Sequence, residues 1–345
     1  MKEFGSDFHF CAANNLDNEN ELSKFNASFY ANGRQALQII ISNNTWKRIW
    51  VPAYFCYEII DAIKETGITI KFYPDAPTFD DNSIISEIPF DENDVLLRMN
   101  FFGLRKWRDN SKIPVPVIED HSHDLLGDWA LKSNADWIIA SLRKTLPLPE
   151  GGILWSPKQH PLPPKLKSTI SNDLISYKRL SAMLMKTLYL SGYSISKSLF
   201  RQIYVETEEA FSSLEKSAIS DDCFSMLKHL NINDWNKSKH QNWTLLSNIS
   251  NENISILLPE DLKECNPFSL ILKFKDVTRR DAFRKVLIKN QIYPAVLWDI
   301  PSMQNEDVIA ISETLLSVHC DARYKLSDIE HLKSKMENIL KEISK

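Results

Sequence analysis

The chain has 345 residues, which is the length of one large domain together with a smaller one. It is 43% apolar and 25% charged with a formal net charge of −4, so it has no basic excess that would call for a nucleic-acid partner. No apolar run approaches the length of a membrane span, and the N-terminus lacks the pattern of a secretory signal. We therefore expect a soluble cytoplasmic protein with no membrane partner.

The cysteines and glycines narrow the class of protein further. Five cysteines are odd in number, scattered and without a CxxC spacing, which argues against a disulfide framework and against a metal site. Only eight glycines occur, whereas roughly 7% of residues is usual. Five of the eight fall within candidate site motifs, namely Gly33, Gly103, Gly127, Gly151 and Gly152. These glycines are predicted to stand where a side chain would not fit.

The first predicted helix begins at a glycine turn. The opening through about Lys24 is rich in Asn and Asp and is predicted to be an irregular arm. A turn at Asn32-Gly33 then leads into a helix whose apolar positions follow helical spacing. A glycine that opens a helix frees backbone N–H groups to bind an anion, helped by the helix dipole. Such a turn is also commonplace in proteins that bind no anion.

Two strand-containing units follow this helix. The stretch RIWVPAYFCYEIIDAIKETGITIKFYPD predicts a strand, a proline-containing turn, a helix and a second strand, which together form a βαβ unit. The stretch DVLLRMNFFGLRKW predicts another apolar strand, which runs into Asn100 and the turn ending at Gly103.

The most informative part of the chain lies between Val115 and Leu154. Two apolar runs there have the length and β-branched content of buried strands. The first ends in Glu119 and Asp120, and the second ends in the run from Ser141 to Lys144. Ligands of parallel α/β sheets bind outside the carboxyl ends of the strands, so these side chains are predicted to meet in one crevice.

An acid and an amine in one crevice suit pyridoxal phosphate. A lysine, here Lys144, can form a Schiff base with its aldehyde, while a carboxylate, here Asp120, keeps the pyridine nitrogen protonated. The hydroxyl of Ser141 could donate to the cofactor phosphate. The plainer alternative is that these residues are ordinary solvated charges in loops.

At these residues the sequence resembles the sugar aminotransferase family DegT/DnrJ/EryC1/StrS, which has fold type I of the pyridoxal-phosphate enzymes. VIEDHSHDLLG is similar to the family's strand ending in Glu-Asp, and SLRKTLPLPEGGIL to its serine, Schiff-base lysine and downstream Glu-Gly-Gly. NGRQAL resembles its phosphate-binding helix start. The resemblance is strong from residue 28 to 155 and loose beyond.

The resemblance implies a set of site residues. Lys144 and Asp120 would be catalytic and would also contact the cofactor. The other cofactor-binding positions that it implies are Gly33, Arg34, Phe55, Cys56, Asn100, His123 and Ser141. Members of the family usually carry an aromatic residue where Cys56 stands, so the residue that stacks on the pyridine ring stays open. Asn100 and His123 could each reach the phenolic oxygen of the cofactor, and a histidine that only bridges loop backbone is the alternative for His123.

The remaining chain completes the expected architecture. From about residue 157 to 250 the pattern is helical, and strands and helices then alternate up to a terminal helix with Ser327 as its expected N-cap. The resemblance implies an α/β fold in which residues 1–250 form a large domain with a mostly parallel, seven-stranded sheet flanked by helices. Residues 251–345 would form a small α+β domain.

The expected activity is transfer of an amino group from an amino acid such as glutamate to a nucleotide-linked keto-sugar, in polysaccharide or sugar-derivative biosynthesis. A homodimer is expected, with the apolar helical region from Ile175 to Tyr204 at its interface. Two alternatives stand beside this hypothesis. One is a sugar dehydratase, although dehydratases of this family carry histidine in place of the lysine. The other is a cofactor-binding regulatory protein without turnover.

Overall fold

A central sheet of seven strands organises the protein in the computed structural model, which describes residues 3–12 and 21–343. The strands of the described residues are β1 Phe4–Gly5, β2 Ala27–Tyr30, β3 Arg48–Pro52, β4 Thr69–Tyr73, β5 Asp94–Met99, β6 Val117–Asp120, β7 Trp137–Ser141, β8 Gly152–Trp155, β9 Ile254–Ile256, β10 Leu270–Phe274, β11 Ile292–Tyr293 and β12 Leu315–Val318. The central sheet has the order β2-β8-β7-β6-β5-β3-β4. Its pairs from β7 through β4 are parallel, whereas β8 is antiparallel to both of its neighbours.

Helices cover the sheet and extend beyond it. They are α1 Gly33–Ser42, α2 Tyr57–Lys64, α3 Asp81–Ser86, α4 Asp128–Lys132, α5 Leu142–Thr145, α6 Ile170–Leu190, α7 Lys197–Ser213, α8 Asp221–Lys228, α9 Ile232–Leu246, α10 Val277–Lys289, α11 Glu306–Thr314 and α12 Leu326–Ile343. Short 3₁₀ turns lie at Glu21–Lys24 and Phe101–Gly103. The predicted mostly parallel sheet flanked by helices is confirmed. The stretch predicted to be helical from about residue 157 is helical only from Ile170, where α6 begins.

Both faces of the central sheet are buried, as expected for a sheet of mainly parallel strands. Successive residues of a strand point to opposite faces. Ile118 and Ile139 therefore join the core under α1 and α2, whereas Val117 and Ile138 join a second core on the other face. This alternation also decides which polar residue at a strand end reaches which face.

A smaller antiparallel sheet of order β12-β10-β9 lies toward the C-terminus. Its core also takes in Phe4 and Trp243 from outside residues 251–345. The predicted division at residue 250 stays a prediction. Among the described residues, no helix combines the length and apolarity needed to cross a membrane.

Three local predictions were wrong or incomplete. The predicted arm contains β1, which pairs in parallel with β11, while residues 13–20 of the arm lie outside the described residues. The predicted strand in QIYPAVLWDI is reduced to the two residues of β11 and one isolated bridge at Ala295. Helix α12 begins at Leu326, so Ser327 lies inside it. The Asp328 carboxylate instead accepts a hydrogen bond from the Lys325 N–H at 3.2 Å.

Candidate active site

Strand β6 ends with two carboxylates that face opposite sides of the sheet. Glu119 lies with Val117 on one face, where its carboxylate accepts hydrogen bonds from Asn110 (2.8 Å) and Trp129 (2.9 Å) and contacts His121 at 3.1 Å. Burial opposes its ionisation, but the contact with His121 and the hydrogen bonds outweigh burial, so the pKa of Glu119 is lowered. The contacts of the Glu119 carboxylate are therefore structural.

The paired His121 carries the complementary charge. Burial lowers the pKa of its imidazole, but the carboxylates of Asp124 and Glu119 outweigh burial and raise it to about 9. This buried ion pair lies behind the strand end that carries Asp120, and it fixes the β6 terminus.

Asp120 faces the other side and lines a cavity. Its Oδ1 accepts a hydrogen bond from the Ser122 backbone N–H at 2.8 Å, and the residue is almost completely buried. The cavity, which we call the Asp120 cavity, has a volume of about 300 Å³. Its lining residues are Asn32, Gly33, Arg34, Cys56, Glu58, Ile59, Asp120, Ser122, Ile139, Ser141, Arg143, Lys144, Glu208, Leu297 and Trp298.

Lys144 reaches the same cavity from the neighbouring strand. β7 ends at Ser141, and the chain turns at once into the single-turn helix α5, in which Lys144 is the third residue. The Nζ atom of Lys144 lies 5.6 Å from the centroid of the Trp298 ring. The register of β6 against β7 therefore brings Asp120, Ser141 and Lys144 together, as the strand ends predict.

The start of α1 gives the cavity an anion-binding wall. The Asn32 carboxamide oxygen caps α1 by accepting from the Gln35 N–H at 3.0 Å. Three buried side-chain donors on the cavity wall, Asn32 Nδ2, Arg34 Nη2 and Arg143 Nε, find no hydrogen-bond acceptor among the described residues. A buried donor without an acceptor is costly, and a helix N-terminus favours negative charge. The wall therefore suits a phosphate or carboxylate group.

The Glu-Gly-Gly motif shapes this wall from behind. A Cβ atom at Gly152 would lie 2.3 Å from the carbonyl carbon and oxygen of Asn32, so only glycine lets β8 pass so close to the start of α1. Gly151 has φ +121°, which side chains disfavour, and its N–H donates to the Ala31 carbonyl at 2.8 Å. The two glycines hold β8 against the helix start.

Six of the predicted residues thus line one cavity: Gly33, Arg34, Cys56, Asp120, Ser141 and Lys144. The other three do not line this cavity, and their contacts with the cofactor stay predictions. Asn100 is buried, with its carboxamide bound to Asp124 (2.7 Å) and to the Arg105 N–H (3.1 Å). Phe55 is fully buried in the core, and its ring centroid lies 6.0 Å from that of Trp298, which lines the cavity.

His123 is the third of these residues and lines a neighbouring cavity. Its Nδ1 accepts a hydrogen bond from the Phe102 N–H at 3.2 Å, and its ring stacks on Phe268 and Trp298 with centroids 4.5 and 5.5 Å apart. Burial, with the positive charges of Lys144 and Lys239, holds the pKa of His123 well below its usual value. The ring is therefore a neutral stacking wall.

Sequence reasoning missed one prominent residue of the site, Trp298, and assigned no role to a second, Arg143. Trp298 belongs to a segment whose pattern predicted a strand, and no local signal directed it toward Lys144. Arg143 stood beside Lys144 in the motif but received no role. In the structure its Nη2 donates to Glu208 on α7 at 2.6 Å.

The comparisons with known proteins bear on the fold. No protein-family model matches the chain, and no curated protein sequence matches it. Several solved structures do match this chain in fold. Helicobacter pylori PseC, an aminotransferase involved in the biosynthesis of pseudoaminic acid, is 12% identical at a TM-score of 0.65, with 99% of this chain and 100% of that chain covered.

Two further structures have the same architecture. The putative sugar aminotransferase Spr1654 from Streptococcus pneumoniae in its PLP form is 12% identical at a TM-score of 0.62, with 93% of this chain and 88% of that one covered. DesI, solved with its TDP-sugar product, is 13% identical at 0.58, with 91% and 80% covered. This chain shares their fold, which confirms the predicted fold class.

Proposed function

We propose that the protein is a pyridoxal-phosphate-dependent aminotransferase that transfers an amino group to a sugar. One observation carries the proposal: an acid, a lysine and buried donor atoms without hydrogen-bond acceptors line a single cavity at a helix start, in a chain with the fold of sugar aminotransferases. The donor set fits the cofactor, because a carboxylate suits its pyridine nitrogen, an amine its aldehyde and the donors its phosphate.

Each residue then has a defined task. Lys144 would hold the cofactor covalently and, once released by the incoming amine, would move a proton between substrate and cofactor carbons. Asp120 would keep the pyridine nitrogen protonated. The cofactor itself supplies the electron sink for the carbanion. Because both side chains belong to neighbouring strand ends, their separation is fixed before substrate binds, which makes the proton transfer effectively intramolecular.

The phosphate would be bound at the start of α1. Gly33 brings its backbone close to Ser141, since a Cβ atom there would lie 3.1 Å from the Ser141 Cβ. Arg34 supplies a guanidinium whose side chain is 11% exposed, and Asn32 supplies a further donor. A dianion would satisfy these donors and interact favourably with the helix dipole.

For the substrates we propose a nucleotide-linked keto-sugar as acceptor and an amino acid, glutamate above all, as donor. Support for the acceptor comes from DesI, whose structure contains a TDP-sugar product, and from the likeness to PseC in pseudoaminic acid biosynthesis. The same likeness supports a place in the biosynthesis of polysaccharides or sugar derivatives.

We also propose a homodimer formed through α6. Five apolar side chains of this helix are 41–79% exposed and recur at spacings of three, four and seven residues, so they form one stripe: Ile170, Leu174, Tyr177, Leu184 and Leu188. An apolar stripe of this length is typical of a helix that packs against another helix. Self-complementary packing about a two-fold axis would cover it with the same stripe of a second copy.

The two alternatives have different support. A dehydratase of this family would carry histidine at the lysine position, so Lys144 favours transamination. A cofactor-binding protein without turnover has two observations in its favour. By the resemblance, Cys56 stands where the family usually carries the stacking aromatic residue, and the HSHD segment is buried, with His121 fully so.

A spectroscopic experiment separates these functions. The purified protein is saturated with pyridoxal phosphate, and its visible spectrum is recorded before and after glutamate is added. An aminotransferase converts its cofactor to the aminated form, so the visible band of the lysine-bound cofactor declines and 2-oxoglutarate appears. A spectrum that stays unchanged with every amino acid tested would support the non-catalytic alternative.

A further inference from the structure

A second cavity of about 240 Å³ lies beside the first and shares Arg143, Lys144 and Leu297 with it. We call it the Arg179 cavity. It is lined by Ser6, Asp7, Phe8, His123, Arg143, Lys144, Leu148, Arg179, Met183, Tyr204, Phe268, Ala295, Leu297 and His319. Its walls come from the N-terminal segment, α5, α6, α7 and the region of the small sheet. A ligand inside it would therefore lie next to Lys144.

Charges in the Arg179 cavity are predominantly positive. Both of its histidines are neutral: burial lowers the pKa of His319 to about 4, and that of His123 also lies well below the usual value. Its other lining residues with formal charge are three cations and one acid, namely Arg143, Lys144, Arg179 and Asp7. The remaining walls are mainly apolar, which suits the carbon skeleton of a small ligand.

The two arginines converge on one carboxylate at the edge of the cavity. Glu208 Oε1 accepts from Arg143 at 2.6 Å, while Glu208 Oε2 lies 3.3 Å from Arg179 Nη1. Arg34 of the Asp120 cavity lies 3.6 Å from the same residue. All three guanidinium groups thus lie within 3.6 Å of this carboxylate, although Arg34 also contacts Glu58 and Arg179 also contacts Asp7. The Nε of Arg143 has no hydrogen-bond acceptor among the described residues, so it could still donate to a ligand.

Arg179 is a buried cation beside a second cation, Arg143, and one of its two carboxylate partners is part-exposed. Its side chain is 6% exposed, and Asp7 Oδ1 lies 3.1 Å from its Nη2. Burial and the neighbouring Arg143 lower the pKa of this guanidinium, although Asp7 and Glu208 oppose them. Asp7 is 41% exposed on the N-terminal segment, so it is a carboxylate that a ligand could replace. An incoming anion would stabilise both arginines.

We infer that the Arg179 cavity binds the carboxylate of the amino donor between Arg143 and Arg179, in place of the contact with Asp7. The inference rests on the proposed function for the identity of its ligand. Pockets that bind drug-sized ligands measure roughly 300–1,000 Å³, so a cavity of about 240 Å³ fits a small amino acid rather than a nucleotide-linked sugar. The shared wall at Lys144 would place the amino group of that acid at the reacting end of the site.

The test measures binding of glutarate to the full chain by titration calorimetry. Glutarate has the chain length of glutamate but no amino group, so it binds without reaction. The protein is first saturated with pyridoxal phosphate, so that the anion-binding wall of the Asp120 cavity is occupied. Glutaramide, the neutral diamide of equal length, is the matched probe and is expected not to bind. Inorganic phosphate is the third probe, and it separates a carboxylate site from a general anion site.

Three variants are expected to change the affinity for glutarate in different ways. Arg179→Gln should weaken glutarate binding about tenfold or more, since hydrogen bonds to a charged group are lost. Asp7→Asn should tighten it about two- to fivefold, because a competing carboxylate of a part-exposed ion pair is removed. Arg201→Gln, an exposed arginine on α7, is the control and should leave binding unchanged. Tighter binding of glutarate by Asp7→Asn could not be explained by misfolding of the variant.

Several outcomes would overturn the inference: equal binding of glutaramide, glutarate binding that survives Arg179→Gln, weakened binding in Asp7→Asn, or phosphate that displaces glutarate with equal affinity. The proposed function fails in a different way, through absence of the cofactor band or of its response to amino acids. Glutarate binding in a protein that does not bind the cofactor would therefore refute the aminotransferase proposal while retaining the anion site.

Discussion

Two cavities meet at Lys144, and they are built from different kinds of structure. The Asp120 cavity lies at the central sheet, where the ends of β6 and β7 meet the start of α1, against which the glycine pair of β8 packs. The Arg179 cavity is lined by the N-terminal segment, α5, α6, α7 and the region of the small sheet. Under the proposed function, the cavity at the sheet carries the chemistry and the cavity between the helices selects the amino donor.

Removal of Lys144 should have the largest effect. Lys144→Ala is expected to abolish both the visible band of the lysine-bound cofactor and transamination, since no other described lysine lines the Asp120 cavity. Unfolding temperature and far-ultraviolet circular dichroism should be close to those of the parent protein, because the side chain has no buried ion pair to lose. Borohydride reduction of the parent followed by peptide mapping checks the assignment. Label on another lysine, such as the buried Lys239, would disprove it.

The two carboxylates of β6, Asp120 and Glu119, can be compared directly by substitution, because only Asp120 lines the Asp120 cavity. Asp120→Asn keeps the shape of the side chain but removes the negative charge that would keep the pyridine nitrogen of the cofactor protonated. An opposite charge typically shifts a pKa by roughly 1–3 units, so the protonated fraction and hence turnover should fall by about ten- to a thousandfold.

Glu119→Gln is the matched control one residue away. It removes the carboxylate that pairs with the buried His121, so it should lower the unfolding temperature while leaving the cofactor spectrum intact. Loss of turnover in Glu119→Gln with near-normal turnover in Asp120→Asn would reverse the assignment of the two acids.

The sequence allowed prediction of the Asp120 cavity because its residues follow short-range rules. Asp120, Ser141 and Lys144 follow apolar strands directly, and Gly33 opens a helix, so each position is defined within a few residues of chain. The seven-stranded sheet was predictable for the same reason, since each buried strand has its own apolar run.

Residues whose roles depend on distant partners could not be predicted. Asn100 sits at a strand end like Asp120, yet its carboxamide is bound to Asp124 and Arg105, a network that appears only after folding. Arg179 looks like one more polar residue of an amphipathic helix. Its burial depends on Asp7 and Glu208, which belong to separate segments of the chain.

Helix α6 connects the Arg179 cavity to the proposed dimer, because it buries Arg179 on one side and exposes the apolar stripe on the other. If the stripe is the interface, Leu184→Glu removes a buried leucine twice per dimer. Each is worth roughly 1.5–3 kcal/mol, so dimerisation should weaken by about a hundredfold or more. Sedimentation velocity over a concentration series measures this effect. Leu258→Glu, at an exposed leucine near β9, is the control and should leave assembly unchanged.

The smallest expected effect concerns the ring that stacks on the cofactor. Trp298 lines the Asp120 cavity, lies parallel to His123 within 16° and has Lys144 Nζ over its ring, whereas Cys56 offers the cavity only a small thiol side chain. Trp298 is thus the aromatic residue best placed to substitute for the one that is absent at position 56. Aromatic stacking contributes about 0.5–1.5 kcal/mol beyond buried area.

Trp298→Leu should therefore weaken cofactor affinity about two- to tenfold, while Cys56→Ala should change it less than about twofold. Titration of the protein with pyridoxal phosphate, followed by absorbance, measures both values. Because Trp298 also packs on Tyr54 and Phe55, the unfolding temperatures of the two variants are compared first, and affinity is then measured well below both. A larger loss in Cys56→Ala than in Trp298→Leu would show that the cofactor ring lies against the start of α2 rather than against Trp298.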